Sequence, residues 1–205
     1  MTSRAGLGPR QETKGDEPSL GAAWVELGLD RRLGFVSQKT EFRFGTVEMT
    51  GITIRTATVG DAVSIGALNA EVQALHAAAL PDLFKSPDAV GLAATAPGLI
   101  ADQRNLVLLA EIGAEAAGYA YAEFIRRSET PHRHAEDIVY LHHLAVSGAC
   151  RRRGVGTALM AALRARAEER GVTRIALDVW TFNDSARVFF RRQGFMPYNE
   201  RLWNR

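Results

Sequence analysis

The residues with the most specific chemistry in this chain are Arg151, Gly154 and Gly156, in the run Arg151-Arg152-Arg153-Gly154-Val155-Gly156-Thr157. A β-branched, apolar stretch from about Asp137 to Val146 precedes them and suits a buried strand. Val155, Leu159, Ala162, Leu163 and Ala167 follow at helical spacing, which predicts a helix from about Gly154 to Arg170. A basic, glycine-containing turn between a strand and a helix N-terminus suits a phosphate. The first helical N–H groups lack partners, and the dipole leaves partial positive charge there. Glycines let an anion approach the backbone, and three arginines add formal charge. The run lacks the Gly-Lys-Ser/Thr ending of a nucleoside-triphosphate loop. As G-x-G-x-x-L it also misses the third small residue of a dinucleotide fingerprint.

Proton-transfer candidates stand just upstream. Histidine titrates near neutrality and suits proton relay. Strand alternation places Tyr140 and His142 on one face and His143 on the other, so only one histidine is expected at a shared site. Either can instead be a hydrogen-bonded packing residue. Glu123, late in an earlier strand, is a further candidate base, with a solvated strand end as the plain alternative. His132 and His134 fall in a polar loop and are expected to face solvent. No acidic or cysteine partners show metal-ligand spacing, so no metal is expected. Cys150 reads as a small neutral filler.

The elements that must position these groups are legible from Gly51 onward. Ile52–Ala57 alternates as a strand. Asp61 is a plausible N-cap for a helix to about Leu80, with Val63, Ile65, Leu68, Val72, Leu75 and Ala79 on its apolar side. Pro81 closes it, and Asp88 starts a second helix. Leu106–Glu111 and Ala117–Phe124 read as a hairpin about Gly113. After the central strand, turn and helix, Gly171 ends the helix and Arg174–Trp180 is another strand. Asn183 and Asp184 cap a last helix, Ser185 to Gln193, and Phe195–Trp203 is expected to form a final strand. The order β-α-α-β-β-β-α-β-α-β predicts an α/β (α+β) domain over residues 51–205. Its strand-helix-strand centre implies one parallel pair in a mixed, mostly antiparallel sheet with helices on both faces.

Residues 1–50 differ. They mix Gly, Pro, Ser and balanced charges without period, and are expected to be a disordered or non-native tail. Met49 stands directly before the first clean strand. Either it is the physiological start, with the first 48 residues a gene-calling artefact, or the tail is native. Over the 205 residues Lys+Arg number 25 and Asp+Glu 23, interleaved rather than massed, so a nucleic-acid partner is not expected. No apolar run reaches the ~20 residues of a membrane span, and the N-terminus has no apolar signal region. The single cysteine fits a reducing compartment, so a soluble cytoplasmic protein without a membrane partner is expected.

Arg151-x-x-Gly154-x-Gly156 resembles the R/Q-x-x-G-x-G/A coenzyme A pyrophosphate loop of the GNAT superfamily of N-acetyltransferases. Asn183-Asp184-Ser185-Ala186-Arg187-Val188-Phe189-Phe190-Arg191-Arg192-Gln193-Gly194-Phe195 is similar to the second signature of that superfamily. The two occur in the right order within a matching element order, covering roughly Ile52 to Trp203. The resemblance implies that the fourth and fifth domain strands splay apart around acetyl-coenzyme A, with a bulge in the fourth. Backbone groups of Leu144, Ala145 and Val146 would then meet the pantetheine. Amides from Arg151, Arg152, Arg153, Gly154, Val155, Gly156 and Thr157 would hold the pyrophosphate, with Asn183 nearby.

The implied activity is acetyl transfer from acetyl-coenzyme A to a primary amine of a small molecule or protein, by direct attack in a ternary complex. Such a reaction needs a base for the amine, a donor for the oxyanion and an acid for the thiolate. Tyr140 matches a position where some relatives hold a catalytic glutamate. Where the family often places an acidic tyrosine, this chain has Phe190, which leaves Tyr198, Tyr140 or water as the proton source. His76 and Phe84 fall where the family's acceptor-covering helices lie. A coenzyme A-binding sensor or interaction module without turnover is the alternative that Phe190 keeps open. A homodimer is a separate expectation for the assembly.

Overall fold

Apolar residues on both sides of one strand explain the layering. Leu106, Leu108 and Ala110 are buried on one face of a sheet, and Val107 and Leu109 on the other. A strand covered on both faces reads as a continuous apolar run, as 106–110 does. The computed structural model describes residues 47–49 and 51–204. Six strands lie in chain order across one sheet: β1 (Val47–Met49), β2 (Ile52–Thr56), β3 (Asn105–Ile112), β4 (Glu115–Arg127), β5 (Glu136–Val146) and β6 (Arg174–Leu177). All neighbours are antiparallel except β5 and β6, which are parallel. Helices α1 (Ala62–Ala79) and α2 (Ala89–Ala101) precede β3. Helix α3 (Val155–Glu169) follows β5, and α4 (Asp184–Arg192) follows β6.

On one face α3 inserts Val155, Leu159 and Leu163 between Ile52, Leu108, Val139 and Leu141. On the other, Ile65 and Leu68 of α1 and Ala96 of α2 cover Val107, Leu109, Tyr119 and Ala145. The two covering helices meet at Gly66, where a Cβ would lie 2.6 Å from both Ala89 O and Ala93 Cβ. A side chain there would push α2 off the sheet.

Asp61 holds the N-cap position of α1, but its carboxylate does not cap that helix. It accepts from Arg55 Nη1 and Nη2 at 2.8 and 2.7 Å and from the Thr58 amide at 2.7 Å. Arg55 also donates to Glu111 at 2.7 Å, so one guanidinium ties β2, α1 and β3 together. Hydrogen bonds from Arg55 hold the Asp61 carboxyl well below the usual carboxylate range. Asp88 does cap α2, accepting from the amides of Val90 and Gly91.

Several sequence expectations need correcting. Val63 is 76% exposed, and Leu75 and Ala79 are also exposed. Helix α1 buries the stripe around Ile65, Gly66 and Leu68, because its later turns run beyond the sheet-covering contact. The strand expected to reach Trp180 ends at Leu177. The expected final strand, Phe195–Trp203, is absent, and Met196, Tyr198, Leu202 and Trp203 are exposed. Pro197 removes a ladder donor, and the four-residue β6 gives a short edge to pair with. The expectation for residues 1–50 lies outside the described residues except at Val47–Met49, which pair with Ile52–Ile54.

Candidate active site

The site begins where β5 and β6 part. Their parallel register runs from Ile138–Arg174 to Leu141–Leu177 and stops, so β5 continues from His142 to Val146 without β6 beside it. At the same point the ladder to β4 slips. Ala122 faces Leu141 and Tyr121 faces His143, leaving His142 as one extra residue, a β-bulge. The bulge resets alternation. Leu141, Leu144 and Val146 all pack toward the α3 core, whereas Tyr140, His143 and Ala145 share the α1–α2 side with Tyr119 and Tyr121.

Both histidines therefore reach one face, contrary to the reading from simple alternation. The His142 ring stacks on Tyr121 with centroids 4.7 Å apart, and the His143 ring meets Tyr121 edge-on at 5.6 Å. His142 Nε2 lies 3.2 Å from Glu123 Oε2. A carboxylate only accepts, so Nε2 carries a hydrogen toward it, and in the neutral form of the ring the lone pair falls on Nδ1. No hydrogen-bond partner for Nδ1 is found among the described residues. Arg104 Nη1 stands 3.4 Å from Glu123 Oε1 on the far side. Imidazole, carboxylate and guanidinium thus follow one another, with Arg104 also paired to Asp102 at 2.7 Å, and a carboxylate so placed fixes an imidazole in one tautomer.

His143 and Tyr119 form a second pair, with Nδ1 and the hydroxyl 2.9 Å apart. Tyr119 is only 2% exposed. Burial pushes His143 down to about 4, aided by the neighbouring His142 and His76, so its ring is neutral at neutral pH. Tyr140 meets His142 edge-on at 4.9 Å. Burial, then a hydrogen bond to the Asp178 carboxylate, pushes its hydroxyl well above the usual tyrosine range. Of the expected candidates, Tyr140, His142 and Glu123 come together. Tyr198, 77% exposed, has no buried position at the site.

A cleft opens between the parted strands, and His142, His143, Leu144, Asn183 and Phe190 contribute to its wall. Asn183 also caps α4, its Oδ1 accepting from the Ala186 amide at 3.1 Å. Phe190 packs edge-on to Phe189 and Phe195, so this position holds an aromatic ring without a hydroxyl.

The basic turn lies at the end of β5. Gly154 has φ +90°, a left-handed conformation that favours glycine, and no side chain caps α3. The amides of Val155, Gly156 and Thr157 therefore open the helix as donors without a partner among the described residues. Arg151, Arg152 and Arg153 are exposed around them. Gly156 has a second constraint. A Cβ there would meet the Phe189 ring at 3.2 Å, so the residue also lets α4 pack on α3. Glu71 of α1 reaches this turn, its Oε2 accepting from the Gly148 amide at 2.8 Å and lying 3.9 Å from Arg151 Nη2. His132 and His134 are exposed, as expected for the β4–β5 loop. Cys150 is half-buried against the α3 core.

Tyr119, Tyr121, Arg104, Asp178 and Glu71 were not among the sequence candidates, and His143 was expected on the opposite face. The HH pair flanked by aromatics was a signal for Tyr119 and Tyr121, but only with the bulge in hand. Among the described residues no group of three or more His, Cys, Asp or Glu could hold a metal, and no helix is long and apolar enough to cross a membrane.

A mixed sheet whose parallel pair splays beside a bulge and a basic helix N-terminus belongs to the class of acyl-group transferases. The pattern of the Acetyltransferase (GNAT) family matches residues 72–195, more than half of the chain, and the chain belongs to that family. Among solved structures, a tetramutant of the BH1408 protein from Bacillus halodurans is similar, with TM-score 0.71 and 22% identity over 74% of this chain and 98% of that one. The aminoglycoside N-acetyltransferase AAC(6')-Iy, solved with CoA, has TM-score 0.60 and 18% identity, covering 78% of this chain and 95% of that one. A transcriptional regulator from Bacillus halodurans C-125 has TM-score 0.61 and 23% identity, covering 75% and 99%. These likenesses speak to the fold. No curated protein sequence matches the chain.

Proposed function

We propose that this acetyltransferase moves the acetyl group of acetyl-coenzyme A onto a primary amine, by direct attack in a ternary complex. The observation that carries the reading is His142. It stands on the bulge at the mouth of the strand splay, with Nε2 engaged by Glu123 and Nδ1 without a partner among the described residues. An amine must shed a proton to attack, and a neutral imidazole held in one tautomer is suited to take it.

The residues present fit the cofactor. The open β5 edge from His142 to Val146 offers backbone groups to an amide-bearing arm, with Leu144 and Val146 as the expected partners. The uncapped start of α3 and the arginines at 151–153 suit a pyrophosphate. Acetyl-coenzyme A supplies a thioester, whose carbonyl carbon is the electrophile. His142 accepts the amine proton at Nδ1, Glu123 holds the ring, and Arg104 offsets the carboxylate charge. The Tyr140 proton is committed to Asp178, and Phe190 has none, so the thiolate takes its proton from water or back from His142.

Phe190 also favours a second reading, a coenzyme A-binding module without turnover. Release of free coenzyme A thiol across a panel of primary amines, alongside acetyl-coenzyme A binding by calorimetry, decides between them. Binding with amine-dependent thiol release is expected. Binding without release from any amine would select the module.

A further inference from the structure

The acceptor itself is the open question, and the following rests on the acetyl-transfer reading. The wall of the cleft opposite β5 is built by α1 and by the segment joining β6 to α4. His76 of α1 is its centre. Its ring lies 4.9 Å from Phe84, 5.8 Å from Phe182 and 6.2 Å from Trp180. Phe84 also meets Trp180 edge-on at 5.2 Å, and Trp180 stacks on Phe182. His76, Trp180, Val72 and Val179 from this cluster and its surroundings line the cleft. Burial lowers the basicity of His76, so the wall is aromatic and uncharged at neutral pH.

Charge is scarce in the rest of the lining. Among the described residues no lysine or arginine lines the cleft, and Asp178, which also accepts from Tyr140, is its one carboxylate. The nearest other acids are occupied elsewhere: Glu123 by His142 and Arg104, and Glu71 by the Gly148 amide. A desolvated ammonium without a counter-charge is costly, so the described residues can accept one ammonium and no more. A polycation would leave its further charges unpaired, and a carboxylate-bearing acceptor would find no fixed cation. Aromatic faces favour both a planar apolar body and an adjacent ammonium.

We infer that the acceptor is a small primary monoamine with an aromatic or branched aliphatic body, its nitrogen near Asp178 and its body against Trp180 and His76. This differs from a polycationic aminoglycoside, the kind of acceptor for which the neighbour AAC(6')-Iy is named.

The test compares kcat/KM for phenethylamine and isoamylamine with that for spermidine and kanamycin, at saturating acetyl-coenzyme A. The monoamines should lead by at least about 10-fold, since each unpaired ammonium is penalised. Trp180→Ala should raise KM for phenethylamine about 10-fold with kcat little changed, the pattern of lost uniform binding. Trp180→Leu, which keeps bulk and loses the ring, replaces it if the alanine variant melts early. Asp178→Asn should weaken phenethylamine but not neutral phenethyl alcohol, scored as a competitive inhibitor. A polycation that outranks the monoamines, or a Trp180 change that moves kcat and not KM, overturns the inference while acetyl transfer stands. If no amine releases thiol, acetyl transfer itself fails. Calorimetry of phenethylamine on the coenzyme A-saturated protein then judges the site, and absence of binding overturns it.

Discussion

Glu123 is the ladder partner of Tyr140, yet its carboxylate engages His142, two residues further along β5, at 3.2 Å. The displaced pairing follows from the bulge, which swings the His142 ring over Tyr121 and back toward β4. Backbone irregularity, rather than side-chain length, brings acid and imidazole together.

That contact predicts coupled losses. His142→Ala should lower kcat by roughly 10²-fold or more, the scale of a positioned general base. Glu123→Gln should cost less, and the double variant should cost little beyond His142→Ala, because the two act as one unit. Affinity for acetyl-coenzyme A should be unchanged by calorimetry. Strictly multiplicative losses would separate Glu123 from the relay.

His143 predicts how stability depends on pH. Its folded value, about 4, lies below its ordinary 6.5, so the unfolded chain binds a proton more readily between these values. Stability should therefore be flat above about pH 6.5 and fall as pH drops toward 4. The shift corresponds to roughly 3 kcal/mol at most, an upper limit because the ring keeps some solvent contact. His76, lowered in the same direction, adds to the slope. His143→Asn should flatten the acid limb of a denaturation series. An unchanged limb would place the titration elsewhere.

Gly156→Val should act twice. It crowds the approach to the first amides of α3, weakening acetyl-coenzyme A, and it drives a side chain into Phe189, costing roughly 1–3 kcal/mol as overpacking does. Phe189→Ala in the same chain should restore melting temperature and not affinity. Recovery of both together would make the glycine a packing residue alone.

A chain shortened to begin at Met49 should keep its acetyl-coenzyme A affinity, because β1 lies at the sheet edge farthest from the splay. Its melting temperature should fall slightly, through loss of the Val47–Ile54 and Glu48–Thr53 pairs. A loss of binding would assign the leading residues a part in the site.

What was legible in the sequence was local. Arg151, Gly154 and Gly156 announce a phosphate turn because glycine and charge act where they stand. Asn183 announces a cap for the same reason; the structure has the left-handed turn at Gly154 and the Asn183 cap. Ile65 and Leu68 were found by period, but Val63 and Leu75 were misplaced, since a helix that is apolar all round does not say which stripe faces the sheet. Gly66, which sets that stripe, looks from sequence like an ordinary weak point. The pairing of both histidines with Tyr121 was hidden, because alternation assumes an unbroken ladder and a bulge has no residue signature here. The missing last strand fails for a long-range reason, as Phe195–Trp203 has strand-like residues but only the short edge of β6 to pair with.

Seen from the gene, the bulge makes His142 an insertion of one codon into an otherwise regular strand. Removing that codon would leave Leu141, His143 and Leu144 alternating as the core already requires, so every flanking side chain would keep its face. Removing a neighbouring codon such as that of Leu144 would instead send Ala145 and Val146 to the wrong sides of the sheet. The scaffold and the His142 imidazole are thus separable by one in-frame deletion, and a lineage could lose or regain that side chain at this strand without rebuilding the fold.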